Sequence, residues 1–185
     1  MSKEIKFGNW FSVILALSCV GGLASCTSMQ ERDMTPVGNF QVEQYLGTWY
    51  EIGRFDFRWE KNMKNVQAHY ALNKDGTIKV TNTGYDYKAK KYKESIGKAK
   101  FAGTQTNVAD LKVSFFGPFY SAYTVIALDA DYRYALVAGE NNKLLWILSR
   151  TPTIPEDVRE KYIQTAQAAG YDLSDFVWTQ QDSWY

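Results

Sequence analysis

The chemistry open to this chain is narrow, because its one histidine is His69 and its two cysteines are Cys19 and Cys26. His69 lies in Val66-Gln67-Ala68-His69-Tyr70-Ala71-Leu72, where alternation puts it on the face opposite Tyr70, toward solvent. A Ser/His/Asp arrangement needs the imidazole in a cleft, and a metal site needs companion ligands that the spacing does not supply. No catalytic residue, metal site or cofactor is therefore expected. No phosphate-cradling glycine loop is apparent either, since Gly21-Gly22 falls in the apolar N-terminal stretch. Glu51 is the unusual residue. In Gly47-Thr48-Trp49-Tyr50-Glu51-Ile52-Gly53-Arg54-Phe55 alternation groups Trp49, Glu51, Gly53 and Phe55 on one face and Tyr50, Ile52 and Arg54 on the other. With Trp49 inward, Glu51 is a buried carboxylate that needs a partner or a raised pKa. It either bonds an interior hydroxyl, such as Tyr70 or Tyr123, or orients the polar end of a ligand.

The N-terminus accounts for both cysteines. Lys3 and Lys6 precede an apolar run from Trp10 to Val20, and Leu23-Ala24-Ser25-Cys26 follows. That is a secretory signal with a small-residue cleavage site, and its apolar run falls short of the roughly 20 residues of a membrane span. Leu-Ala-Ser-Cys also matches the bacterial lipobox, which implies cleavage after Ser25 and lipid attachment to Cys26. Cleavage leaves 185 − 25 = 160 residues, enough for one domain with a sizeable core, and no cysteine pair for a disulfide. Removing Lys3, Lys6 and Glu4 from 21 basic and 20 acidic residues leaves 19 of each. A neutral domain exerts no general pull on nucleic acid. Lysines do cluster between Lys74 and Lys100, as on a solvated hairpin with a protected strand edge.

Beyond the signal (residues 1–25), Thr27 to Val42 is polar and aperiodic, a tether (26–42) ahead of one domain (43–185). The domain reads as short strands with little but turns between them. Val66–Leu72, Thr77–Tyr85, Ser95–Phe101, Leu111–Phe115, Ala122–Leu128, Tyr134–Ala138 and Leu144–Ser149 join the Gly47 strand to make eight. Asn73-Lys74-Asp75-Gly76 is a hairpin turn with glycine placed for positive φ. Strand after strand without helices predicts an all-β antiparallel sandwich or barrel. In the fourth strand the lysines Lys98 and Lys100 must face water, so Ser95, Gly97, Ala99 and Phe101 face inward and favour a cavity. The same parity points Ala68, Tyr70, Leu72, Leu111, Val113, Phe115, Tyr123, Val125, Ala127, Leu136, Trp146 and Leu148 inward. A capping box, Thr153-Ile154-Pro155-Glu156, then opens a helix with a docking stripe of Val158, Tyr162, Thr165, Ala166 and Ala169, closed by Gly170. Asp175–Thr179 is a short final strand.

In a meander alternate loops share an end, so Gly47-Thr48-Trp49 lies with the Asp129–Tyr132 turn, and Arg150 arrives there to sit over the Trp49 indole. G-x-W, the turn Asp129-Ala130-Asp131-Tyr132 and the late strand Leu145 to Pro152 resemble, in order and spacing, the three motif regions of the lipocalins. Tyr45 to Arg54, Lys112 to Tyr120 and Leu145 to Pro152 resemble the bacterial lipocalin lipoproteins in particular, and the likeness runs from Phe40 to Trp178. It implies an eight-stranded up-and-down lipocalin barrel with one C-terminal α-helix packed outside and a short final strand. It also implies that Gly47, Trp49, Asp131, Tyr132 and Arg150 plug the barrel base. The expected function is storage or transport of a fatty acid or lysophospholipid, lined by Glu51, Phe55, Ala68, Tyr70, Gly97, Phe101, Val113, Phe115, Tyr123, Val125, Leu136 and Trp146. The expected location is the bacterial outer membrane, lipid-anchored and facing the periplasm, and a homodimer is compatible with the sequence. Two rivals are an envelope structural lipoprotein with a self-filled barrel and a lipocalin-fold enzyme. The far end carries Phe57-Arg58-Trp59, Phe116-Gly117-Pro118-Phe119-Tyr120, Glu140 to Asn142 and a loop with Lys88, Lys90, Lys91 and Lys93. This is a partly apolar mouth suited to a lipid or a membrane, with lysines that could attract an anionic head group.

Overall fold

The computed structural model describes residues 33–182; the signal segment and Cys26 lie outside the described residues. Eight strands run up and down: β1 (Gly47–Phe55), β2 (Met63–Leu72), β3 (Ile78–Asp86), β4 (Lys91–Phe101), β5 (Asp110–Phe116), β6 (Phe119–Leu128), β7 (Tyr134–Gly139) and β8 (Leu145–Ser149). Each pairs antiparallel with the next and β8 returns to β1, which closes the barrel as expected. The Asn73–Gly76 turn forms with Gly76 at φ 77°, and Asp75 Oδ1 accepts from the Thr77 backbone N–H at 3.0 Å.

The barrel wall is completed by a segment far away in the chain. β1 meets β2 directly only over Gly47 to Tyr50. Above that, β9 (Phe176–Trp178) pairs with Gly53 to Phe55. The chain then wedges between the two strands: Thr179 N–H donates to Ile52 O at 2.9 Å and Asn65 N–H donates to Gln180 O at 2.8 Å. The Gln181 amide bridges both strands, donating to Glu51 O at 2.8 Å and to Val66 O at 2.9 Å.

Two apolar clusters lie on opposite sides of the β1–β6–β7–β8 wall. The inner one includes Phe40, Tyr45, Trp49, Tyr70, Val80, Leu111, Val125 and Leu148. The outer one packs Tyr162 and Ala166 of α2 (Glu156–Ala168) and the C-cap residue Ala169 on Ile52, Phe55, Leu136, Leu145 and Ile147. Leu136, Leu145 and Ile147 are essentially inaccessible, and each such side chain stabilises the docked helix by roughly 1.5–3 kcal/mol. Helix α2 ends as expected: Gly170 takes φ 88°, its N–H donates to Gln167 O, and Tyr171 N–H donates to Ala166 O, a Schellman closure.

Four expectations change. The capping box does not form, because Pro155 is the N-cap residue and no side chain caps the helix. The segment read as tether is packed from Val37 onward, where Val37 N–H donates to Val125 O and Phe40, only 3% exposed, enters the inner core. Leu72 is exposed at the base. Most consequentially, Phe55, Ala127 and Leu136 face the outer cluster, not the cavity. Register slips at Ile52 in β1 and Ile126 in β6 turn Phe55 and Ala127 outward, since Glu51 pairs with Leu148 but Gly53 with Ile147, and Val125 with Val137 but Ala127 with Leu136. One extra residue reverses the facing of everything after it. Leu136 follows the unbroken alternation of β7, whose inward residues are Ala135 and Val137.

Candidate functional site

The base of the barrel is sealed. Arg150 lies 3.9 Å from the Trp49 ring centre and donates to Thr48 O at 2.9 Å, Gln44 O at 2.7 Å and Tyr132 O at 3.2 Å. One guanidinium thereby ties the β1 entry, the short helix α1 (Val42–Tyr45) and the β6–β7 turn together, which only its fixed fork of donors can do. Gly47 belongs here because at φ 91° its missing Cβ would approach Arg150 Nη1 to 3.4 Å. Tyr132 also holds α1, accepting from Gln41 N–H at 2.8 Å through its hydroxyl. Asp131 is exposed and pairs only with Arg133, at 3.4 Å. The acid that shapes the turn is Asp129, which accepts from the Arg133 and Tyr134 N–H groups at 2.6 Å each. Arg150→Ala is expected to cost about 2–3 kcal/mol in urea unfolding; a loss under about 0.5 kcal/mol would mean the contacts are too solvated to matter.

Above the plug three phenols meet. Tyr123 Oη lies 2.8 Å from Tyr45 Oη and 2.8 Å from Tyr70 Oη. Burial raises all three pKa values, so the trio is neutral and holds three protons for two internal bonds. One O–H remains to be donated into the barrel. The surrounding Val42, Leu46, Ile78, Val80, Ala99, Leu111 and Val113 leave space for about one water. Of the expected lining residues, Ala68, Tyr70, Phe101, Val113, Phe115, Tyr123, Val125 and Trp146 belong to this inner cluster. Gly97 is not part of that cluster: the Phe115 ring lies 2.8 Å from where its Cβ would be, so Phe115 occupies room that the small residue was expected to leave.

The upper half contains a buried ion network. Glu51 faces inward as expected, but its partner is Arg54, not Tyr70 or Tyr123. Arg54 Nη1 donates to Glu51 Oε1 at 2.6 Å and to Thr179 Oγ1 at 2.9 Å, while Thr179 Oγ1 itself donates to Glu51. Arg54 Nη2 donates to Asp56 Oδ1 at 3.3 Å and Glu60 O at 2.7 Å, and Nε lies 3.7 Å from Glu60 Oε2. Trp146 Nε1 donates to Glu60 Oε2 at 3.1 Å. Burial pushes the Glu51 carboxyl up against the pull of Arg54. It pushes Glu60 up to about 8, helped by the neighbouring Glu51 charge. Arg54 is thus the cation that the network is built around, and burial favours the protonated form of both carboxyls facing it, most of all Glu60. Strict alternation hid Arg54, because the bulge at Ile52 brings it to the Glu51 side. Glu60 gave no sign, being a loop residue with no period.

This network holds a loop across the opening. The β1–β2 and β5–β6 connections lie on opposite sides of an eight-stranded meander, yet the Trp59 and Phe116 rings are 5.8 Å apart. The Phe57 ring meets Trp146 edge-on at 5.9 Å. Arg54 and Trp146 thus clamp Phe57–Glu60 over the barrel. Beside it β4 pairs with β5 only over Lys98–Phe101, which leaves Lys91–Ile96 exposed along the mouth. Among the described residues no group of three His, Cys, Asp or Glu side chains is placed to hold a metal.

Comparison with known proteins agrees with this geometry. Residues 40–181 match the family model described as a lipocalin-like domain. The outer membrane lipoprotein Blc of Escherichia coli strain K12 is 49% identical over 160 residues, covering 86% of this chain and 90% of that protein. Blc of Vibrio cholerae is 41% identical over 169 residues, covering 91% and 98%. The solved structure of insecticyanin from the tobacco hornworm superposes with a TM-score of 0.66 at 20% identity, covering 81% of this chain and 85% of that one.

Proposed function

The chain belongs to the lipocalin family, and from that premise we propose that it is a lipid-binding lipoprotein of the bacterial outer membrane. It is anchored through acylated Cys26 after removal of residues 1–25, faces the periplasm, and stores or carries one fatty acid or lysophospholipid. The family is one of binding and transport proteins, and no reaction is assigned. The observation that carries the reading is a barrel plugged at one end by Arg150 and Trp49, apolar in its lower half, and closed at the other only by a clamped loop. An acyl chain entering under that loop gains about 0.8 kcal/mol per buried methylene.

The test is native mass spectrometry of the mature chain, followed by extraction. A fatty acid or lysophospholipid bound one to one supports carriage, and an empty protein that also refuses added lipid refutes it. One observation favours a second reading, an envelope structural protein: the lower barrel is already filled by its own rings, with Phe115 over Gly97 and room for about one water. The same spectrum separates the two, because a self-filled barrel takes up no lipid. A dimer would appear in it directly.

A further inference from the structure

The rim of the mouth carries side chains that the interior does not use. Trp59, Phe116 and Phe119 are 61%, 67% and 78% exposed, far beyond what rings packed for stability show. They are contiguous: Trp59 stacks near Phe116, and Phe116 pairs with Phe119 across the hairpin. Arg58 lies 4.2 Å from the Trp59 ring centre, which places a cation within the aromatic patch. The β3–β4 turn projects from the same end with Lys88, Lys90 and Lys91. Its one acid, Asp86, is already engaged, accepting from the Lys88 and Ala89 N–H groups and pairing with Lys93 at 2.6 Å. This end also carries Asp56, Glu94 and Glu140, but Arg58, Lys61, Lys88, Lys90, Lys91, Lys93 and Lys143 outnumber the acids, so it is aromatic with a net positive charge. Large interfacial rings flanked by lysine and arginine suit the headgroup level of an anionic bilayer. A second copy of this chain would instead oppose like charge to like.

The start of the described chain points the same way. Tyr171 Oη donates to Leu144 O, at the mouth-side β7–β8 turn, and lies 3.6 Å from Met34 Sδ. Residues 34–40 then descend the outer wall to the base, where Phe40 N–H donates to Asn107 O. The chain thus enters the domain on its mouth half. Cys26 is 33 − 26 = 7 residues before Asp33, a reach of up to about 25 Å.

We infer that the rim formed by Trp59, Phe116 and Phe119 with Arg58, Lys88, Lys90 and Lys91 docks on an anionic phospholipid bilayer. The barrel mouth then faces the membrane in which an acylated Cys26 would sit. The rim needs no ligand in the barrel to dock, so the inference goes beyond lipid carriage and is testable apart from it.

The experiment uses the mature chain with Cys26→Ser, which carries no acyl group, and vesicles of phosphatidylcholine with and without phosphatidylglycerol. Co-sedimentation is expected only with phosphatidylglycerol, and it should weaken as salt is raised. Two variants divide the contributions: Trp59→Ser with Phe116→Ser and Phe119→Ser, and Lys88→Gln with Lys90→Gln and Lys91→Gln. Each is expected to weaken vesicle binding by about tenfold or more. Both should keep the parent melting temperature, and the lysine variant, which leaves the Trp59–Phe116 contact in place, should also keep the parent uptake of a fatty acid from solution. Absence of binding to phosphatidylglycerol vesicles, or equal binding by parent and both variants, would overturn the inference. So would a parent dimer that the aromatic variant alone dissolves, because a second copy would then be the occupant of the rim.

Discussion

Replacing Arg54 with methionine is expected to lower stability by about 3–5 kcal/mol, the usual consequence of leaving a buried carboxylate without its counter-ion. Arg54 and Glu51 are each only 3% exposed, and their 2.6 Å contact is the charge compensation for both. The guanidinium also supplies donors to Thr179, Asp56 and the Glu60 carbonyl. Its loss therefore releases the loop over the mouth and the C-terminal wedge together. Arg54→Met with Glu51→Met should recover most of the loss, because an apolar pair of similar volume needs no compensation. The measurement is a double-mutant cycle in urea. A single Arg54→Met cost below about 1 kcal/mol would show that the pair is solvated like a surface bridge. Lipid exchange should be faster in the double variant than in the parent even where stability is restored, since the Glu60 carbonyl has lost its donor.

Glu60→Gln should make the protein more stable than the parent at alkaline pH, by on the order of 2–4 kcal/mol. In the folded state burial raises the Glu60 pKa from 4.5 to about 8. The folded protein therefore binds this proton more tightly than the unfolded chain. Glu60's contribution to the parent's stability is full below the ordinary carboxylate range, falls as pH rises from there to about 8, and is flat above it. Glutamine imitates the protonated acid and can still accept from Trp146 Nε1, so its profile lacks most of that fall. A residual slope of the same sign belongs to Glu51, whose pKa is also raised by burial. Urea midpoints across this pH window decide the matter. Parallel parent and variant profiles would mean that Glu60 is ionised and solvated throughout.

These two residues mark where the sequence stopped being legible. Alternation correctly placed Ala68, Tyr70, Val113 and Tyr123 inside because no residue interrupts the period there. It failed after Ile52 and Ile126, where one extra residue reverses facing, so Phe55 and Ala127 moved to the helix side and Arg54 moved inside. Nothing in residue type announces such a bulge. The residues on each side are equally apolar, and the extra one is recognised only against its neighbouring strand.

The sequence by itself determined the eight-strand meander, the turn at Gly76, the helix stop at Gly170 and the meeting of Trp49 with Arg150. Each depends on local backbone preference, on side-chain period or on the alternation of ends that a meander imposes. Tertiary structure alone decided that Gln181 bridges β1 to β2, that Thr179 bonds Glu51 and that Glu60 and Trp59 are held across the mouth. Those contacts join residues remote in the chain or borne on loops, and their free energy arises from burial and charge pairing in a closed barrel. No local preference encodes either, because neither exists until the wall has closed.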